Sequence, residues 1–155
     1  MSFGREVQKI TGETVKNTDF FPNIDLGDFQ EQMRIDSEYR IEVIKRRVRL
    51  AIVYVNKELK EQQTVWTEEG HATLKEVPAE PVDDESPLVF EYLNAVYSHA
   101  KATLMQDYKT MNRREEAENE AKDSSSTFDS YLADCRDSIK ALSNETQGSL
   151  EIYEV

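Results

Sequence analysis

"IEVIKRRVRLAIVYVNKEL", residues 41–59, is the stretch that sets the fold class. Ile41, Ile44, Val48, Ala51 with Ile52, Val55 and Leu59 recur at steps of three and four. That spacing draws one apolar stripe along an α-helix. It predicts a helix over about 38–63, roughly 39 Å long at 1.5 Å per residue.

Upstream, Asp25 is placed to cap a short helix, Leu26 to Met33, with Phe29 and Met33 at i, i+4 spacing. A break at Asp36 and Ser37 separates it from the long helix. Residues 1–24 show neither a period of 3.6 nor a clean alternation and read as an extended arm. Pro22 pushes Phe21 toward extended backbone.

Downstream, residues 64–85 read as a connector, because Gly70, Pro78 and Pro81 interrupt any helix. Trp66, Leu74 and Val77 are its candidate anchors. Ser86 and Pro87 then make a clean helix start, a hydroxyl N-cap with proline at N1. Asp83, Asp84 and Glu85 precede it, where the helix dipole favours negative charge. This helix is expected to reach about Lys109. Its apolar residues, from Leu88 and Phe90 through Tyr92, Val96 and Ala100 to Tyr108, cover more than one face, so it is expected to be central. Ile44, Val48, Ile52 and Val55 are expected to pack on it around Tyr92, Val96 and Ala100.

Residues 110–124 carry almost no large apolar groups and read as a solvated helix extension or a mobile loop. Ser126 and Asp129 resemble a capping box. Phe128, Tyr131, Leu132, Cys135, Ile139 and Leu142 outline a last amphipathic helix. After Gly148, Leu150, Ile152, Tyr153 and Val155 are spaced as in an extended segment. The expected fold class is all-α: a small bundle of about three long helices and one short one. Residues 25–143 form the bundle, 1–24 an N-terminal arm and 144–155 a C-terminal tail.

Composition narrows the function. The chain has 155 residues and a formal net charge of −12, opposite to what neutralising DNA phosphates requires. A single cysteine rules out an internal disulfide. No apolar run is long enough for a membrane span, and no secretory signal opens the chain, so no membrane partner is expected. Glu68 and His71 have carboxylate–histidine spacing, but Val96 stands where His99 would need its acidic mate. No metal or other cofactor is therefore expected. Cys135 falls on an apolar stripe and reads as a small buried hydrophobe. No nucleophile elbow or phosphate-binding glycine pattern exists, so an enzyme is not expected.

"KRRVR", Lys45, Arg46, Arg47 and Arg49, is the one basic cluster. It is either a contact patch or the solvated flank of the helix, where Glu42 and Arg46 make a favourable i, i+4 pair. In an acidic chain such a patch suits a protein contact better than a general DNA site.

Four stretches together resemble the head completion protein of temperate contractile-tailed phages. They are "KNTDFFPNID" (16–25), "GHATLKEVPAEPVDDES" (70–86), "VFEYLNAVYSHAKATL" (89–104) and "SSSTFDSYLADCRDSI" (124–139). The resemblance implies a structural virion protein, added in the host cytoplasm after the genome is packaged. It implies an adaptor ring of about a dozen copies under the portal protein ring, in the neck. The ring would complete the DNA-filled head and present a platform to a tail-side connector or terminator protein. Double-stranded DNA would pass through without specific binding.

In that setting Phe20, Phe21 and Pro22 are expected at a subunit contact. Burying the two rings contributes about 3–6 kcal/mol, whereas fixing ten residues of backbone costs on the order of 10–20 kcal/mol. The arm is therefore expected to settle only when a neighbour adds contacts; the alternative is that both rings cover their own bundle. Leu150, Ile152, Tyr153 and Val155 are expected to dock on the portal or a neighbouring copy. Glu115, Glu116, Glu118 and Glu120 are candidates for an acidic surface lining the DNA conduit. The competing function is an acidic cytosolic regulator that binds a nucleic-acid enzyme by charge mimicry. An adaptor joins a ring; a mimic binds its target one to one.

Overall fold

The computed structural model describes residues 9–111 and 127–143. The chain is mainly helical. Asp25 caps the first helix, α1 (Leu26–Gln32), its carboxylate accepting from the backbone N–H of Gly27 and of Asp28. Ser86 caps α4 (Pro87–Met111), where its hydroxyl receives the Val89 N–H at 3.4 Å. Both starts follow from local side-chain chemistry.

The long helix differs at both ends from the sequence expectation. It begins at Ile41, because Asp36 Oδ1 accepts the Glu38 N–H and holds residues 36–39 in a turn. It also extends further, bending at Leu59 (φ −97°, ψ 7°). The bend divides it into α2 (Ile41–Glu58) and α3 (Lys60–Glu68). Leu59, Gln62 and Trp66 carry the buried stripe onward at the same spacing. Gln62 breaks the apolar pattern in sequence, although it is buried, so the continuation is not visible there.

α2 and α4 make the main packing contact. Ile44, Val48, Ile52 and Val55 share one buried core with Tyr92, Val96 and Ala100, the set expected from the two stripes. A last helix, α5, spans 127–143 and runs beside α4, with Asn94 Nδ2 donating to Ser138 Oγ at 2.7 Å. Cys135 and Leu142 of α5 are buried in the same core.

The connector between α3 and α4 is compact. It contains a 3-10 turn (Leu74–Glu76), with Leu74 and Val77 buried as anchors; Trp66, expected as a third connector anchor, is buried but belongs to α3. Its end is a tight reversal in which Val82 and Glu85 exchange both backbone hydrogen bonds at 3.0 Å.

The part of the N-terminal arm that is described is not free of the domain. β1 (Thr14–Val15) pairs antiparallel with β2 (Ile24–Asp25), in register Thr14↔Asp25 and Val15↔Ile24. The hairpin packs on the α2–α4 face, so the described part of the extended arm does not wait for a neighbour to settle, which corrects that expectation. Strands of two residues are too short to show alternation, so no sequence period reveals them. The capping box at Ser126, the run around Glu115–Glu120 and the tail 144–155 lie outside the described residues.

Candidate functional site

The hairpin loop carries the aromatic pair. Phe20 is 6% exposed and Phe21 3%, so both rings belong to the chain's own core. The expectation that they stay clear of the domain until a neighbour arrives is thus corrected. Phe21 stacks on Tyr92 of α4, and Phe20 lies parallel to Trp66 of α3 with centroids 6.0 Å apart. The two rings meet edge to face at 5.0 Å. The Phe20 carbonyl also accepts the Leu74 N–H at 2.9 Å, tying loop to connector. Helix surface and connector therefore supply the further contacts that were expected from a second subunit. Pro22 is half-buried, and its carbonyl accepts from Asn17 Nδ2 at 2.8 Å.

Beneath the rings lies a closed polar circuit. Asn17 Nδ2 donates to Tyr92 Oη at 2.8 Å, Tyr92 Oη donates to Asn56 Oδ1, and Asn56 Nδ2 donates to Asn17 Oδ1 at 3.0 Å. Each buried polar atom in the circuit is thereby satisfied. Burial, set against the Asn17 hydrogen bond, holds the Tyr92 phenol above its ordinary pKa. Sequence reading placed Tyr92 in the core but missed this circuit. The only signal was an asparagine three positions before a paired aromatic, which by itself specifies no partner.

The basic cluster is not one patch. Arg47 is half-buried and forms a bidentate pair with Asp107 of α4. That hydrogen bonding raises its pKa. Lys45 lies 4.0 Å from Glu13 at an exposed site. Arg46 and Arg49 are exposed on the outer face of α2 and have no ion-pair partner among the described residues.

The same outer face carries apolar side chains that the stripe analysis assigned to no contact. Leu50 is 43% exposed and Val53 64%. Two further large apolar groups stand open elsewhere, Val82 at 68% and Phe90 at 61%. Tyr54, at the edge of α2, covers His99 with ring centroids 4.6 Å apart.

Cys135, Asp25 and Asp28 are engaged in the fold. Cys135 is buried, and burial pushes its thiol up to about 11. A thiol so placed is a poor nucleophile. An open cleft of about 850 Å³ runs beside Lys9–Gly12 and is lined in part by Asp25 and Asp28. Asp25 is occupied as a helix cap, while Asp28 accepts the Tyr97 hydroxyl at 2.6 Å. Among the described residues no helix is long and apolar enough to cross a membrane.

Comparison with known proteins identifies the family. The model of the phage head completion protein (GPL) matches residues 15–152. The head completion/stabilization protein of Escherichia phage P2 is 31% identical over 122 residues, covering 79% of this chain and 72% of that protein. The probable head completion/stabilization protein of Haemophilus phage HP1 (strain HP1c1) is 25% identical over 148 residues, covering 96% of this chain and 97% of its own length. No solved structure matches. A match that runs from within the hairpin through the helical core shows that the chain belongs to the phage head completion protein family.

Proposed function

We propose that the chain forms an adaptor ring beneath the portal, in the neck of the virion. There it completes and stabilises the DNA-filled head and presents a platform for tail attachment. The family match over residues 15–152 is the observation that carries this reading. Its role is structural, with no cofactor. The net charge of −12 supports it, because a conduit wall that repels phosphates lets duplex DNA pass. Glu115, Glu116, Glu118 and Glu120 are the candidates for that wall. Arg46 and Arg49 face protein. Leu150, Ile152, Tyr153 and Val155 dock on the portal or an adjacent copy, as an extended segment does on an exposed edge or groove.

Mixing the purified chain with a purified portal ring and imaging the complex tests the reading. The expected image has a second ring stacked coaxially on one end of the portal. A portal ring that remains bare at saturating chain would overturn it. So would tight, salt-sensitive binding of the isolated chain to duplex DNA.

A further inference from the structure

We infer that the outer face of α2 is a docking surface for a second copy of this chain, and that the second copy presents the Val82–Phe90 knuckle to it. The inference deepens the ring reading above and rests on it.

The first surface is a helix stripe. Arg46, Leu50, Val53 and Lys57 follow one another at i, i+4, i+7 and i+11, so they lie in one row. All four are exposed, and Arg49 flanks the row. The opposite side of the same helix holds Ile44, Val48, Ile52 and Val55, all buried against the core. α2 therefore carries apolar groups on both sides, and only the inner ones are covered among the described residues. A solvated helix flank has no need of Leu50 and Val53. Apolar groups rimmed by cations that have no ion-pair partner among the described residues suit a contact surface.

The second surface has the complementary make-up. Asp83 and Asp84 adopt left-handed backbone, φ 52° and φ 59°, between the paired residues Val82 and Glu85. Two successive positive φ values close a tight turn of the kind that suits Asn-Gly. Two aspartates there give up backbone comfort and hold their carboxylates on a rigid tip. Val82 projects beside them, and the exposed Phe90 follows in the first turn of α4. Glu80, Asp83, Asp84 and Glu85 are all exposed. Apolar groups rimmed by acids thus face outward at one place, and apolar groups rimmed by bases at another.

These two places cannot meet within one molecule. Tyr92 points to α2, where its hydroxyl bonds Asn56. Phe90, two positions earlier, lies about 200° around α4 and so faces away from α2. Val53 and Leu50 face away from α4. The surfaces therefore lie on opposite sides of the α2–α4 pair. Two unlike, complementary surfaces make a head-to-tail contact, which closes into a ring when the rotation per copy allows.

The test is cross-linking inside assembled particles. Chains carrying Val53→Cys, Phe90→Cys or both are supplied during assembly, and the purified particles are treated with a mild oxidant. Cys135 is buried and stays out of the reaction. The chain with both changes should give a ladder of dimers, trimers and longer species. An equal mixture of the two single variants should give dimers only, and Val53→Cys alone should give none. Efficient cross-linking of Val53→Cys alone would overturn the inference in favour of a two-fold contact. Particles that contain the doubly changed chain without a ladder would overturn it too, while leaving the ring reading intact. Wild-type chain missing from the particles would overturn the ring reading, and this contact with it. A charge exchange gives an independent readout. Arg46→Glu with Arg49→Glu should abolish incorporation, and Glu80→Lys with Glu85→Lys in the same chain should restore it. Unchanged incorporation of the first pair would overturn the inference.

Discussion

Phe21 lies face to face on Tyr92, with ring centroids 4.5 Å apart and planes within 7°. One contact thus joins the hairpin loop to the central helix. Truncating Phe21 to alanine removes a buried ring from a packed site. The free chain should lose about 3–5 kcal/mol of stability, and Phe20→Ala should act in the same direction through Trp66. Urea denaturation of the purified chain measures both. An unshifted midpoint for either variant would place that ring outside the core.

Tyr92→Phe keeps this stack and deletes only the hydroxyl. Asn17 Nδ2 and Asn56 Oδ1 then lose a partner in a buried setting. The expected cost is about 1–3 kcal/mol. Because the three side chains form one circuit, Tyr92→Phe combined with Asn17→Ala should cost less than the sum of the separate changes. Strict additivity in a double-mutant cycle would show that the circuit does not act as a unit.

Gly27 permits a close crossing. A Cβ placed there would sit 2.3 Å from the Ile10 carbonyl oxygen, a backbone atom, so the two segments must move apart. Gly27→Ala should therefore push residues 9–12 off α1 and break the Ile10 N–H bond to Gln30 Oε1. A stability loss of roughly 1–3 kcal/mol is expected, together with faster amide exchange at Ile10. Unaltered exchange at Ile10 would show that the crossing tolerates a methyl group.

His99 sets an acid-side slope. Its ring stacks on Tyr54, and its Nδ1 is buried without a hydrogen-bond partner among the described residues. Burial first, and the Arg47 charge second, lower its pKa. Below an unfolded-state value near 6.5 the unfolded chain then holds more protons than the folded one. Stability attributable to His99 is thus present above about pH 6.5 and declines as pH falls toward the folded value. His99→Phe should flatten the dependence on the acid side of about pH 6.5 relative to the parent. Parallel curves for the two proteins would contradict the assignment.

Much of the helical layout was legible because its causes are local. The stripe from Ile41 to Leu59 has a period that only a helix accommodates. Asp25 and Ser86 cap with their own side chains, a few residues from the groups they satisfy. The core partners of α2 and α4 follow from the same periods, since each stripe must be covered and the two are the most apolar available.

Other features depend on which faces meet. Asn17 and Tyr92 are 75 positions apart, and nothing near either one names the other. Arg47 looked like a member of a basic patch until Asp107, 60 positions away, was brought against it. Phe20 and Phe21 sit in a stretch without period, so their apolarity alone left two outcomes open. Burial in the domain won because α3, α4 and the connector together form a slot for both rings and supply a backbone partner at Leu74. Sequence by itself determined where α1 and α4 start and which side of α2 is buried, because those are properties of neighbouring residues. Tertiary structure decided which polar groups are paired and which apolar groups remain uncovered, because each depends on a partner that the chain delivers only by folding.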